Sequence, residues 1–142
     1  MEIKKIADWD VIIKELLDFK NQEFYLLLTG DLGAGKTTFT KRLLKNFGVN
    51  EVVNSPTFVI LNQYQNSEGA LLNHMDAYRL GVNDEIELYE EQFRQAFNII
   101  EWPNNLGINF NNLQGWHLDI ELNEQGNRNV TIIKNLSSFR GN

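Results

Sequence analysis

The run Gly30-Asp31-Leu32-Gly33-Ala34-Gly35-Lys36-Thr37 fits the spacing G-x-x-x-x-G-K-[ST], in which each residue type has a task in holding nucleotide phosphates. Glycines turn the backbone through positive φ and let it come close to a ligand. Their successive N–H groups form a concave nest suited to an anion. The Lys36 ammonium can reach the β- and γ-phosphates, and the Thr37 hydroxyl can ligate Mg²⁺. A helix beginning near Lys36 adds the positive end of its dipole. Asp31, Leu32, Gly33, Ala34, Gly35, Lys36, Thr37 and Thr38 are therefore the candidate nucleotide-binding residues, with a nucleoside triphosphate and Mg²⁺ as the expected ligands.

A phosphate loop alone only binds. Hydrolysis or transfer also needs an acid that orients Mg²⁺ or its water, usually at the end of an apolar strand. Asp76 follows Leu71-Leu72-Asn73-His74-Met75, and Glu101 follows Phe97-Asn98-Ile99-Ile100. Spacing does not choose between them, and each could be an ordinary strand-end carboxylate. His74, Asp76 and Tyr78 share one face of a strand, and an imidazole, a carboxylate and a phenol together are not a core pattern. Arg79 either neutralises phosphate charge or pairs on the surface with Asp84 or Glu85. In Ser55-Pro56-Thr57 a hydroxyl can approach Mg²⁺ or the γ-phosphate, or cap a local turn. Trp102 either stacks on a ring or closes the core, and its residue type alone favours the core.

The elements that must position these groups follow from periodicity. Phe24 to Thr29 is a short apolar run, read as a buried strand leading into the loop. Phe39, Leu43, Leu44 and Phe47 recur at helical spacing after it, and Gly48 marks the helix end. Strand, glycine loop and helix is the context the motif requires. Before it, Asp8 caps a helix with Trp9, Ile12, Ile13, Leu16 and Leu17 on one face. Thr57 to Tyr64 and Ala70 to Asp76 read as an antiparallel hairpin around Asn66-Ser67-Glu68-Gly69. Asn83 caps a helix carrying Ile86, Tyr89, Phe93 and Phe97. Phe97 to Trp102 is a buried strand stopped by Pro103. Asn104 to Gly115 is an Asn-rich loop. Trp116, Leu118, Ile120 and Leu122 alternate with polar residues as a half-exposed strand, and Val130 to Ile133 pair back. Ser137 to Asn142 are expected to fray. The sum is one α/β domain over residues 1–142, of the three-layer P-loop NTPase kind, whose mixed sheet has a parallel core and antiparallel additions.

Bulk numbers narrow the class. The chain has 142 residues, 13 Lys plus Arg against 19 Asp plus Glu, and a net charge of −6. That length suits one compact domain, and that charge disfavours a broad nucleic-acid face. Lys41, Arg42 and Lys45 cluster after the loop, a pattern more typical of a solvated helix face than of an RNA contact. The absence of cysteine removes thiol chemistry and Cys-based metal sites, and two histidines without partners at ligand spacing argue against zinc. No apolar run reaches the roughly 20 residues of a membrane span, so a cytoplasmic protein is expected.

Taken together, GDLGAGKTTF (Gly30 to Phe39), SPTF (Ser55 to Phe58), HMDAYRL (His74 to Leu80) and IEWP (Ile100 to Pro103) resemble, in order and spacing, the TsaE (YjeE) family. This is the small bacterial ATPase of tRNA threonylcarbamoyladenosine biosynthesis. The first motif is shared by many NTPases; the combination is specific. The resemblance is strong from Phe24 to Pro103, consistent before it and loose after it. It implies an ATPase acting with a TsaB–TsaD transferase pair that modifies the adenosine beside the anticodon, so that tRNA is contacted only through the complex. By motif, Gly33, Gly35, Lys36 and Thr37 hold phosphate and Mg²⁺, and Thr57 is the γ-phosphate sensor. Asp76 and Glu101 are the metal-side acids, and Trp102 belongs to the same site. Two other functions fit the loop. A small-molecule or nucleoside kinase would use it, but no Arg-rich lid segment is evident. A binding module that never cleaves its nucleotide would make Asp76 and Glu101 incidental. ATP rather than GTP rests on the family and on the lack of an N-K-x-D guanine reader.

Overall fold

The computed structural model describes residues 1–51, 60–81 and 86–140. Among them the strands are β1 (Glu2–Ile3), β2 (Phe24–Thr29), β3 (Leu61–Gln65), β4 (Leu71–Asp76), β5 (Ala96–Glu101), β6 (Gly115–Leu122) and β7 (Arg128–Ile133). The α-helices are α1 (Asp10–Leu16), α2 (Lys36–Asn46) and α3 (Glu87–Phe93). The strands form a single sheet in the order β1-β7-β6-β2-β5-β4-β3. β2 lies between β5 and β6 and is parallel to both, and β4 continues the parallel block beside β5. β3, β7 and β1 add on antiparallel at the two sides. This is the expected α/β architecture of parallel core and antiparallel additions.

Phe24-Tyr25-Leu26-Leu27-Leu28 is apolar throughout because β2 is buried on both faces. One face packs through Leu26, Leu28, Phe97 and Leu118 against Ile12, Leu16, Phe39 and Leu43 of α1 and α2. The other packs through Tyr25, Leu27 and Ile100 against Phe93, Phe110 and Leu136. Helices on both faces make three layers. Phe97 anchors the first layer: its ring stacks on Phe24 at 5.0 Å and meets Phe47 edge-on at 4.8 Å. Truncating it to Ala would cost about 3–5 kcal/mol.

Two departures from the periodic reading have local causes. The helix expected to carry Phe97 stops at Phe93, and Phe97 lies in β5. The Asn98 side-chain amide donates to Phe93 O at 2.9 Å and Ala96 O at 3.0 Å, fastening the turn between helix and strand. Of the residues expected to fray, 137–140 are tied to the body of the domain, and 141 and 142 lie outside the described residues. Leu136 is buried, and the Asn111 side-chain amide donates to Leu136 O and Phe139 O, each at 2.8 Å. The short β1 went unforeseen, since two residues carry no periodicity. The expected cap Asn83 lies outside the described residues. Asp8 does not cap α1, whose N-cap is Trp9 with no side-chain bond; it sits at the third position of the short 3-10 turn Ile6–Trp9, its carboxylate accepting the Lys4 and Lys5 N–H groups at 2.9 and 3.1 Å.

Candidate functional site

The loop from Gly30 to Gly35 joins the carboxyl end of β2 to the first turn of α2. Gly30, at φ +139°, passes so close to β6 that a Cβ there would lie 2.2 Å from Ile120 O. Gly35 begins the helix at φ +112°, a conformation that side chains rarely adopt. Glycine is thus required at both positions by the path of the chain. Thr29 fastens the start of the loop. Its hydroxyl donates to Asp119 Oδ1 at 2.6 Å and accepts from His117 Nε2 at 2.7 Å. Arg128 of β7 fastens the end, donating from Nε to Ala34 O at 2.8 Å.

Lys36 is buried, at 5% exposure, and folds back over the loop. Its ammonium donates to Gly30 O and, at 3.1 Å, to Asp31 O. It also lies 4.6 Å from the centroid of the Trp102 ring, a cation–π contact. Burial pulls the ammonium below the ordinary lysine range, while Glu101, Asp76, Asp31 and Asp119 oppose that shift. Trp102 is half-buried and lies beside the loop as well as against the core. Its backbone is left-handed at φ +59°, its N–H donates to Leu28 O at 3.3 Å, and its ring meets Tyr78 at 5.0 Å. A non-glycine residue in that conformation costs roughly 1–3 kcal/mol, and such residues cluster at working sites.

Asp76 and Glu101 end β4 and β5 as direct register partners, and Glu101 is also the partner of Leu28 on β2. The sheet therefore brings both candidate acids beside the start of the loop. Asp76 is half-buried and accepts the Tyr78 N–H on Oδ1 at 3.0 Å. Burial raises its carboxyl above the ordinary aspartate range; the Tyr78 N–H opposes this and the Glu101 charge adds to it. Glu101 is 3% exposed, and its Oε2 lies 2.5 Å from Nε2 of the fully buried His74. The two acids are held differently, one facing partly outward and one locked beneath.

These charges suit a magnesium–triphosphate. A buried ammonium held by its own loop carbonyls fits an anion, and an aspartate raised by burial and a neighbouring carboxylate fits a cation. Among the described residues no group of three His, Cys, Asp or Glu could hold a metal alone. Thr37 is half-buried in the first turn of α2. Beside Gly35 and the exposed Thr38 lies a cavity of about 290 Å³, lined also by Ile3, Lys5, Trp9 and Arg128. Asp31, Leu32 and Gly33 are exposed on the loop crest and Ala34 is buried. Thr57 lies outside the described residues, as do Ser55 and Pro56. Sequence reasoning missed Arg128, whose contact with Ala34 spans 94 positions. It also missed the Thr29–His117–Asp119 set, which only the β2–β6 register assembles.

A family model described as "Threonylcarbamoyl adenosine biosynthesis protein TsaE" matches residues 3–131, well beyond the stretch that carries the motifs. The chain is 47% identical over 79 residues to the tRNA threonylcarbamoyladenosine biosynthesis protein TsaE of Bacillus subtilis, covering 54% of this chain and 49% of that protein. It is 50% identical over 81 residues to the protein of the same name from Streptomyces coelicolor, covering 54% and 55%. The chain spans about half the length of the curated relatives it matches. A crystal structure of Bacillus subtilis YdiB superposes with a TM-score of 0.71 at 28% identity, over 94% of this chain and 83% of that one. The mixed sheet, the glycine loop and the match across 3–131 agree, and the chain belongs to the TsaE family.

Proposed function

We propose that this chain is a magnesium-dependent ATPase serving threonylcarbamoyladenosine formation on tRNA, working in the cytoplasm with TsaB–TsaD transferase subunits. The observation that carries the reading is the placement of Lys36. It sits on the glycine loop and over Trp102, within electrostatic reach of Asp76 and Glu101. In this reading Lys36 leaves the loop carbonyls and turns to the β- and γ-phosphates, while the amides from Gly33 to Thr38 hold the phosphate chain. Thr37, Asp76 and Glu101 hold Mg²⁺ directly or through its waters. Bound Mg²⁺ would supply positive charge against the phosphoryl oxygens. Asp76, partly open, suits the metal side. Glu101, buried and fixed, suits orientation of the attacking water. The cavity beside Gly35 and Thr38 has room for ribose and base, with Trp9 as an apolar wall.

The family's printed role supports the pathway, and the net charge of −6 supports contact with tRNA through partners. Among the described residues no helix is long and apolar enough to cross a membrane. ATP turnover tests the reading, measured for the chain alone and with TsaB–TsaD and unmodified tRNA. The expected result is slow turnover alone, faster turnover in the complex, and loss of both in Lys36→Ala. Fast turnover without partners, or a stoichiometric phosphorylated metabolite, would overturn it.

A further inference from the structure

His74 is wholly buried on β4. Its Nε2 lies 2.5 Å from Glu101 Oε2, whereas its Nδ1 is buried and, among the described residues, has no hydrogen-bond partner. Proton bookkeeping follows. Contact between a ring nitrogen and a carboxylate oxygen needs a proton between them, and the imidazole can supply it from Nε2. The opposite tautomer would leave an N–H donor unsatisfied at Nδ1 and set a lone pair against the carboxylate, both costly away from water.

A pair of this kind is a poor way to hold a core together, because apolar side chains of similar volume usually do as well or better. It does restrain one carboxylate. A free glutamate side chain samples several rotamers, and fixing it beforehand removes that ordering cost from the reaction. The main chain is fixed too, since Glu101 O accepts the Ala77 N–H at 3.0 Å. We propose that His74 is a positioning residue for ATP hydrolysis: its Nε2–H holds Oε2 of Glu101 and leaves Oε1 for the water that Glu101 orients. This rests on the reading of Glu101 given above.

The test uses the full chain with its transferase partners and the variants His74→Gln, His74→Asn and His74→Phe. Glutamine places an amide N–H where Nε2 sits; asparagine places one nearer Nδ1, out of reach of Glu101. His74→Asn and His74→Phe are expected to lower turnover by about 10- to 100-fold. The dissociation constant for Mg·ATP should move by no more than about threefold, and His74→Gln should recover most of the rate. Melting curves show which variants fold; the Gln and Asn variants keep a polar side chain if the Phe variant does not fold. On the nucleotide-free protein, long-range ¹⁵N–¹H NMR should show His74 with its proton on Nε2, with His117→Gln assigning the two rings. Equal turnover in all variants, no difference between Gln and Asn, or a proton on Nδ1 would overturn the proposal. Glu101→Gln is run alongside. If it hydrolyses ATP like the parent, the reading of Glu101 fails and this proposal fails with it. If it is slow while the His74 variants are fast, only this proposal fails.

Discussion

Strands β4 and β5 carry two buried polar pairs, and the two are built on opposite principles. Asn73 and Asn98 are fully buried, neutral and richly bonded: Asn73 Nδ2 donates to Asn98 Oδ1 at 2.8 Å and to Gln92 O at 2.6 Å. Gln63 donates to Asn73 Oδ1 at 3.0 Å, and Asn98 Nδ2 serves Phe93 O and Ala96 O. His74 and Glu101 are also buried, ionisable and joined by one contact, and Nδ1 has no hydrogen-bond partner among the described residues. A buried polar network that satisfies its members is architecture, because it specifies register and helix end. One that leaves an atom unsatisfied at the loop end of the sheet adds little to stability. The same two strands thus hold the fold at one end and the two candidate acids at the other.

That contrast breaks apart under mutation. The largest effect is expected from Glu101→Gln, which keeps the volume and removes the charge: turnover should fall by about 10²- to 10³-fold, with little change in melting temperature. Single-turnover ATP hydrolysis checks it. Asn98→Leu should do the reverse. It strands the Phe93 and Ala96 carbonyls and should cost about 3 kcal/mol in denaturant unfolding, with nucleotide affinity retained by the folded fraction. Arg128→Ala sharpens the boundary between the regions, since it frees Ala34 O without touching either pair. Affinity for Mg·ATP should weaken by about tenfold, or about 1.4 kcal/mol, in a calorimetric titration.

The smallest effect has an unusual sign. The Asp76 carboxyl is held above the ordinary aspartate value of 3.8, so the folded chain binds that proton more tightly than the unfolded one. Asp76 therefore costs the nucleotide-free protein stability as pH rises above 3.8, and the cost is complete once the folded-state group has ionised. Asp76→Asn keeps an acceptor for the Tyr78 N–H and removes the charge. It should raise the melting temperature at neutral pH by about 3 °C while weakening Mg²⁺-dependent binding. An unchanged or lower melting temperature would show that Asp76 is not under that strain.

Local patterns made much of this legible. The apolar run before Gly30 fixed β2, the spacing of Phe39, Leu43 and Leu44 fixed α2, and the residue types from Gly30 to Thr37 named the loop. Alternation from Trp116 to Leu122 marked β6 and its buried face. What stayed hidden is set by register and long-range packing. The sequence offers Asp76 and Glu101 as separate strand-end acids; only the pairing of β4 with β5 makes them neighbours. His74 stood out for sharing a face with Asp76, yet its hydrogen-bond partner lies 27 positions away. Arg128 gave no signal, being one charged residue in a strand that pairs with β6 and still reaches the loop. The order of Leu136 and Phe139 was lost among polar neighbours, although their apolar side chains pack beneath the Asn-rich loop.

The central claim is that the bend after β2 holds a triphosphate through main-chain amides and Lys36. The most direct measurement is calorimetric titration of the nucleotide-free chain with Mg·ATP, beside Lys36→Ala. The account predicts a single saturable site in the parent and weakening by at least about tenfold in the variant. No heat of binding up to millimolar nucleotide, or identical curves for the two proteins, would contradict it.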